Sequence, residues 1–240
     1  MFLGTFNRAH SSADIETLTY YAENYPPSNY FAGGELVGVS VEILKLLWSR
    51  MGMEEQDIYV VPWARGYKNV LDTPNTMLFT MSRSAKREKL FKWVGPIFVS
   101  RHILVSRKET NMKLNSIQDA FGYRIATIRG DISEQSLLDV SFPEQNMAKL
   151  TQLNQAFSML NKSRVDLVMV SLLGFTHLVK ERNLSPSDYD IALTVNELGN
   201  YFAFNLETPD EIIEKFQRAV DETSVERALI NAKYGFSPVQ

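Results

Sequence analysis

The sequence predicts an α/β protein of two Rossmann-like lobes, joined by two hinge strands, with a ligand cleft between the lobes. Three observations predict this fold class. Strand and helix patterns alternate in the first part of the chain, which is the order expected of a parallel sheet. The alternation begins again near Ser100. In two extended segments, near 99–105 and 195–204, the chain is predicted to cross from one lobe to the other. We call these segments the crossings, and hinges of this kind permit lobes to close around a ligand.

Patterns in the first half predict the order β-α-β-α-β. Short apolar or aromatic runs ended by turn residues predict strands, and apolar residues at helical spacing predict helices. The predicted strands are 18–23, 58–61 and 76–82. The predicted helices are 41–51 and 64–71, and Gly33-Gly34 fits a hairpin turn.

Patterns in the second half predict a second α/β unit and a return segment. The predicted strands are 102–107, 123–128, 148–153, 165–170, 189–195 and 201–205. The predicted helices are 133–140, 155–161, 172–182 and 224–234. Ser116 opens a further short helix, with Asp119 three residues later in a variant of the capping pattern. Thr208-Pro209 begins a helix with proline at its first position.

The domain organisation follows from the two crossings. We expect residues 14–101 and 198–240 to form the first lobe and residues 102–197 to form the inserted second lobe. Residues 1–13 are expected to be a flexible tail, because they lack the apolar core of a signal peptide. No apolar run reaches the roughly 18 residues that a membrane helix needs.

Composition excludes several classes of function. The 240 residues include 25 basic and 28 acidic side chains, mixed along the chain, for a net charge of −3. This balance gives no basic stripe for nucleic acid. The absence of cysteine excludes disulfides, thiol nucleophiles and cysteine metal sites. His10, His102 and His177 lie far apart without metal-site spacing, so we expect neither a metal nor a cofactor.

Five stretches resemble the bacterial extracytoplasmic solute-binding proteins of the polar amino-acid type, which serve ABC transporters. They are YPPSNYFAGGELVGVSVEILKLL at 25–47, VPW at 61–63, SRSAKREKLFKWVGP at 82–96, YRIATIRGD at 123–131 and RVDLVMVS at 164–171. The resemblance covers nearly the whole chain, and its specificity lies in the order and spacing of the blocks. It implies the type II periplasmic binding protein fold, with the ligand between the lobes.

The resemblance also implies a function. The expected protein is a periplasmic monomer that captures a small, polar, carboxylate-bearing ligand and presents it to a membrane permease, without catalysis. Two alternatives share the fold: the sensing domain of a signalling receptor, and an enzyme that resembles cyclohexadienyl dehydratase. The enzyme would need a proton donor of raised pKa in the cleft, for which Glu23 or Asp131 could be proposed.

In the first lobe, the resemblance assigns the carboxylate of the ligand to Arg87 and Ser82. A guanidinium can hold a carboxylate through two parallel hydrogen bonds, and a hydroxyl adds a third donor. Tyr25 and Trp63 match aromatic residues that line the cleft. Each has a plainer explanation: Arg87 could be a solvated surface arginine, and the two aromatic residues could belong to the core.

In the second lobe, the sequence departs from the family pattern. Gly130-Asp131 stands where a Gly-Ser/Thr pair usually donates to the carboxylate, and Ser171 stands where amino-acid binders carry an acid. We therefore expect Arg129, Asp131 and Ser171 to form the gate of the second lobe, with Asp131 available for an ammonium group and Arg129 for an acid.

Overall fold

A computed structural model describes residues 18–236, so the tail predicted at 1–13 lies outside the described residues. The strands are β1 (Thr19–Ala22), β2 (Tyr30–Ala32), β3 (Glu35–Val37), β4 (Ile58–Val60), β5 (Thr76–Ser82), β6 (Lys92–Arg107), β7 (Ile125–Ile128), β8 (Met147–Leu150), β9 (Leu167–Ser171) and β10 (Tyr189–Phe204). The helices are α1 (Val39–Arg50), α2 (Trp63–Asp72), α3 (Ile132–Asp139), α4 (Leu153–Asn161), α5 (Leu172–Glu181), α6 (Asp210–Glu222) and α7 (Ser224–Lys233).

One sheet runs through both lobes, in the order β4-β1-β5-β10-β6-β9-β7-β8. Strands β1, β4 and β5 pair in parallel in the first lobe, and β7 pairs in parallel with β8 and β9 in the second. The antiparallel pair β6 and β10 joins the two groups. The two-lobed fold class that the sequence predicts is therefore confirmed.

Each lobe has apolar side chains on both faces of its part of the sheet. In the first lobe, one cluster packs β1 and β5 against α1 and α6 around Trp48, and another packs the opposite face against α2 around Trp63. In the second lobe, α4 and α5 cover one face and α3 covers the other. Burying both faces explains why β9 is apolar except for Ser171 and why β5 contains the apolar run 77–79.

The two crossings are longer strands than the sequence indicates. Segments 189–195 and 201–205, predicted as separate strands, are parts of β10, and 102–107 is the second half of β6. Register shifts at three points in the β6–β10 pair let these strands bend between the lobes. The register also sets Asn200 opposite Ser82 and His102 opposite Ser171.

Two local predictions are corrected. The short helix expected after Ser116 is a single 3₁₀ turn at Gln118–Ala120, and the Asp119 carboxylate accepts hydrogen bonds from the backbone N–H groups of Asn115 and Ser116. Pro209 lies immediately before α6 and not at its first position. The Gly33-Gly34 turn forms as predicted, between β2 and β3. None of the helices in 18–236 has the length and apolarity that a membrane span requires.

Candidate functional site

A polar cavity lies between the lobes, where the carboxyl ends of β1, β5 and β9 meet. This edge of an open α/β sheet is the usual place for a ligand. The first lobe contributes Glu23, Tyr25, Ser28, Asn29, Thr80 and Ser82. The hinge strands and the second lobe contribute Ser100, His102, Asp131, Ile132, Ser171 and Asn200.

The cavity is small because the lobes contact each other directly. Its volume is about 30 Å³, and roughly 10–15 Å³ is enough for one water molecule. As it stands, the cavity is therefore too small for a solute of amino-acid size.

Amide and hydroxyl groups on three strands form the floor of this cavity. The Ser82 hydroxyl at the end of β5 donates to Oδ1 of Asn200 on β10 at 3.2 Å. The amide nitrogen of Asn200 donates in turn to Oγ of Ser100 on β6 at 2.9 Å. Asn200 is therefore held by both neighbouring strands, and its amide is a fixed part of the floor.

Tyr25 and Ser171 form one contact between the lobes. Their hydroxyl oxygens are 3.1 Å apart, and the backbone N–H of Ser171 donates to the Tyr25 oxygen at 3.2 Å. Ser171 also caps α5, because its Oγ accepts the Gly174 N–H at 3.1 Å. A methyl group at Gly174 would lie 3.0 Å from the Tyr25 oxygen, so glycine allows this close approach.

Trp63 and Arg87 form a second contact between the lobes, on the Gly130 carbonyl. Trp63 Nε1 donates to this oxygen at 2.8 Å, and the Arg87 guanidinium donates to it at 3.1 Å. The guanidinium lies against Trp63 and Tyr67, 5.4 and 5.3 Å from their ring centres. Both Trp63 and Arg87 are buried, and neither lines the cavity. In this closed arrangement, the predicted carboxylate anchor binds protein carbonyls.

Asp131 is the N-cap of α3. Its carboxylate accepts the backbone N–H of Ile132, and its other oxygen is 3.4 Å from the Ser133 hydroxyl. Glu134 accepts the Gly130 N–H, and Lys149 pairs with Glu134 at 2.7 Å. The cap fixes the Asp131 carboxylate at the edge of the cavity, at the positive end of the helix.

Glu23 follows β1 directly and faces the cavity. Burial, followed by the nearby Asp131 carboxylate, raises the pKa of Glu23 well above its ordinary value, and Arg87 opposes this shift. The same burial and the Asp131 charge raise the pKa of Tyr25. Glu23 and Asp131, on opposite lobes, thus repel each other across the cavity.

His102 is buried on β6, and its Nδ1 is 2.8 Å from Oδ1 of Asn196. The Asn196 amide nitrogen donates to Ser136 Oγ at 3.2 Å. The Asn196 oxygen therefore accepts the Nδ1–H, which leaves Nε2 with a free lone pair. Burial lowers the pKa of His102, and Arg87 adds to this effect, while Asp131 and the Asn196 hydrogen bond oppose it.

Of the residues that the sequence singled out, Tyr25, Ser82, Asp131 and Ser171 line the cavity. Arg129 does not: its side chain is exposed and donates to the Lys149 carbonyl at 3.4 Å. Sequence reasoning missed a set of polar residues: Ser28, Asn29, Thr80, Ser100, His102 and Asn200. The sequence did indicate the location of three of them, because Ser100, His102 and Asn200 lie on the two segments predicted to cross between the lobes.

A polar cavity enclosed between two α/β lobes, at the carboxyl ends of their strands, defines a two-lobed ligand-binding protein of the periplasmic binding protein type. The chain belongs to the bacterial extracellular solute-binding proteins, family 3, whose family model matches residues 19–171. The resemblance that the sequence indicated is thereby confirmed.

Individual relatives are distant in sequence and close in fold. The arginine-binding extracellular protein ArtP of Bacillus subtilis is 22% identical over 227 residues, which cover 91% of this chain and 85% of ArtP. A histidine kinase sensor domain with similarity to periplasmic binding proteins superposes with a TM-score of 0.82 at 17% identity, covering 92% of this chain and 98% of that domain. The substrate-binding protein of an amino acid ABC transporter superposes with a TM-score of 0.75 at 18% identity, covering 91% and 99%.

Proposed function

We propose that this protein is a periplasmic receptor that captures a small, amino-acid-like solute between its lobes and presents it to the permease of an ABC transporter. The observation that carries the proposal is the interlobe cavity, which both lobes line with hydroxyl, amide and carboxylate groups. Transport needs fit and hydrogen bonds without bond breaking. The family, and a relative that binds arginine, support binding in place of catalysis.

Closure of the hinge is the proposed signal to the permease. In this proposal the protein is a monomer, residues 14–101 with 198–240 move as one lobe, and residues 102–197 move as the other. The register shifts in the β6–β10 pair support a hinge at these strands.

The proposed carboxylate contact requires Arg87 to exchange partners. When the lobes separate, the guanidinium loses the Gly130 carbonyl and gains room for a carboxylate. Ser82, whose backbone carbonyl accepts a bond of 3.3 Å from Arg87, lies beside it.

Thermal unfolding of refolded, ligand-free protein against a panel of solutes tests this function. The panel contains L-arginine, L-lysine, cadaverine, adipate, a sugar and prephenate. A solute at 100 times its dissociation constant stabilises the folded state by about 2.7 kcal/mol, which is a shift of a few degrees at this size. We expect L-lysine or L-arginine to give this shift, and L-lysine to exceed cadaverine because only lysine offers Arg87 a carboxylate.

Any other outcome contradicts part of the proposal. No shift with any member of the panel contradicts solute binding of this class. A larger shift with cadaverine than with L-lysine contradicts the Arg87 contact. Elimination of water from prephenate, detected by chromatography of the products, would instead support the dehydratase alternative.

Sensing is the second candidate function, favoured by the likeness to a histidine kinase sensor domain. Transport and sensing share the binding step and differ in the partner. A solute-loaded receptor that stimulates the ATPase of its reconstituted transporter supports transport, whereas control of a kinase supports sensing.

A further inference from the structure

A second cavity adjoins the hinge strands and shares two lining residues, Ser100 and Ser171, with the interlobe cavity. Its volume is about 160 Å³, compared with about 30 Å³ for the interlobe cavity. Four apolar side chains form its walls: Val99, Leu172, Leu173 and Phe236. We call this cavity the hinge pocket. It has room for a small molecule that the interlobe cavity, as it stands, cannot hold.

Both lobes form the hinge pocket. Leu172 and Leu173 are the first two residues of α5 in the second lobe, and Leu173 packs against an apolar cluster of the first lobe. In that cluster, the rings of Phe236 and Phe98 have their centres 4.2 Å apart. A methyl group at Gly235 would lie 3.5 Å from Leu173 Cδ2, which is ordinary contact. The walls of the pocket therefore meet only while the two lobes keep this arrangement.

The charged groups at the hinge pocket neutralise each other. Arg101 Nε on β6 donates to Glu197 Oε1 on β10 at 2.6 Å, and both side chains are about half exposed. A charged molecule would have to compete with this ion pair for one of its members. An uncharged molecule leaves the pair intact, so the walls and the charges together favour an uncharged, apolar occupant.

The volume indicates the size of that occupant. An engineered protein cavity of about 150 Å³, lined by aliphatic and aromatic side chains, binds a molecule the size of benzene. The hinge pocket has a similar volume and walls of the same chemical kind. A single six-membered ring, or an aliphatic molecule of equal size, therefore fits it.

We propose that the hinge pocket binds a small, uncharged, apolar molecule of this size, and that this molecule weakens solute binding because it holds the lobes in the arrangement described. The second part rests on the proposed function. A ligand shifts an equilibrium toward the arrangement that it binds better. In the present arrangement the interlobe cavity is too small for a solute of amino-acid size, so the two ligands stabilise different arrangements. The effect is reciprocal, because the solute weakens binding of the small molecule by the same factor.

Calorimetric titration of the full chain with phenol, which is uncharged at pH 7, tests the site. The expected dissociation constant is about 0.1 to 1 mM for a molecule of this size. Leu172→Trp places a larger side chain in the pocket and is expected to weaken phenol binding by about 10-fold or more. Val99→Phe fills the pocket from β6 and serves as a second variant with the same expectation. The matched control is Leu229→Trp, because Leu229 on α7 is 69% exposed, and it should bind phenol as the wild type does.

Three outcomes of these titrations overturn the site or its ligand class. Absence of phenol binding by the wild type overturns the site. Equal phenol affinity in the wild type and in both pocket-filling variants also overturns it, because phenol then binds elsewhere. Tighter binding of benzoate or benzylamine than of phenol overturns the uncharged class.

A competition experiment tests the effect on the solute. Phenol at ten times its dissociation constant is expected to weaken the affinity for L-lysine or L-arginine by about 5- to 10-fold. Unchanged affinity for the amino acid overturns the coupling, while the proposed solute-binding function stands. Absence of binding by every solute of the panel contradicts the proposed function, and the phenol titrations then decide the hinge pocket by themselves.

Discussion

At the scale of the residue, the folding stability of the protein depends on the protonation of Glu23. Its pKa is raised in the folded chain, first by burial and then by Asp131. Near pH 4 the carboxyl group is largely protonated in both the folded and the unfolded chain. Its burial then costs the folded state little free energy. As the pH rises toward the raised pKa, the unfolded chain loses this proton first, so the folded state loses stability.

Glu23→Gln removes this pH-dependent cost. In the absence of a solute, we expect the variant to gain stability relative to the wild type as the pH rises from about 4 to about 8. Urea unfolding at several pH values measures the difference. Glu55→Gln, at an exposed position, is the control and should follow the wild type. A constant difference across this range would contradict a raised pKa at Glu23.

At the scale of the element, one side chain at the start of α3 both caps the helix and lines the cavity. Asp131 is the N-cap of this helix, and it faces the cavity. Asp131→Ala should lower the free energy of unfolding by about 1 kcal/mol, whereas Asp131→Asn should change it by only a few tenths, because asparagine also caps.

Chemical denaturation of the two variants separates the cap from the charge. We expect only Asp131→Ala to lose stability, because Asp131→Asn keeps the cap. Equal loss of stability in both would mean that the charge at Asp131, and not its cap, stabilises α3. The same helix offers a control at Gln135→Ala, because Gln135 is only half-buried and its amide bonds Asp139 at the surface.

At the scale of the whole molecule, direct contacts join the two lobes in the arrangement described, which the proposed function treats as the closed one. Trp63 and Arg87 share the Gly130 carbonyl, Tyr25 meets Ser171, and Lys86 pairs with Asp139 at 2.5 Å. The surface ion pair contributes little, so the buried bonds carry most of the preference. A solute must compete with these contacts while it adds its own.

Trp63→Phe tests this balance, because it keeps an aromatic ring beside Arg87 and removes the N–H donor. Loss of one hydrogen bond of about 1 kcal/mol should raise the ratio of open to closed molecules about fivefold. Small-angle X-ray scattering without solute should then give a larger radius of gyration. Trp93→Phe is the matched control, since Trp93 Nε1 donates to the Glu88 carbonyl within the first lobe. An equal change in both variants would contradict a contact that favours closure.

The sequence by itself determined the α/β alternation, the two crossings and the positions at which strands end. This information is local, because it depends on periodicity and turn chemistry, which each segment carries alone. Tyr25, Ser82, Asp131 and Ser171 were singled out by the resemblance to the solute-binding family, and all four line the cavity.

Only the tertiary structure decided what these side chains contact. Arg87 donates to a carbonyl 43 positions away, and Ser82 donates to an amide 118 positions away. The sequence gives no distance between groups so far apart in the chain, because that distance depends on how two lobes pack and how far they close. For the same reason, His102 could not be recognised as part of the site, because its place in the cavity lining depends on how the two lobes pack around β6.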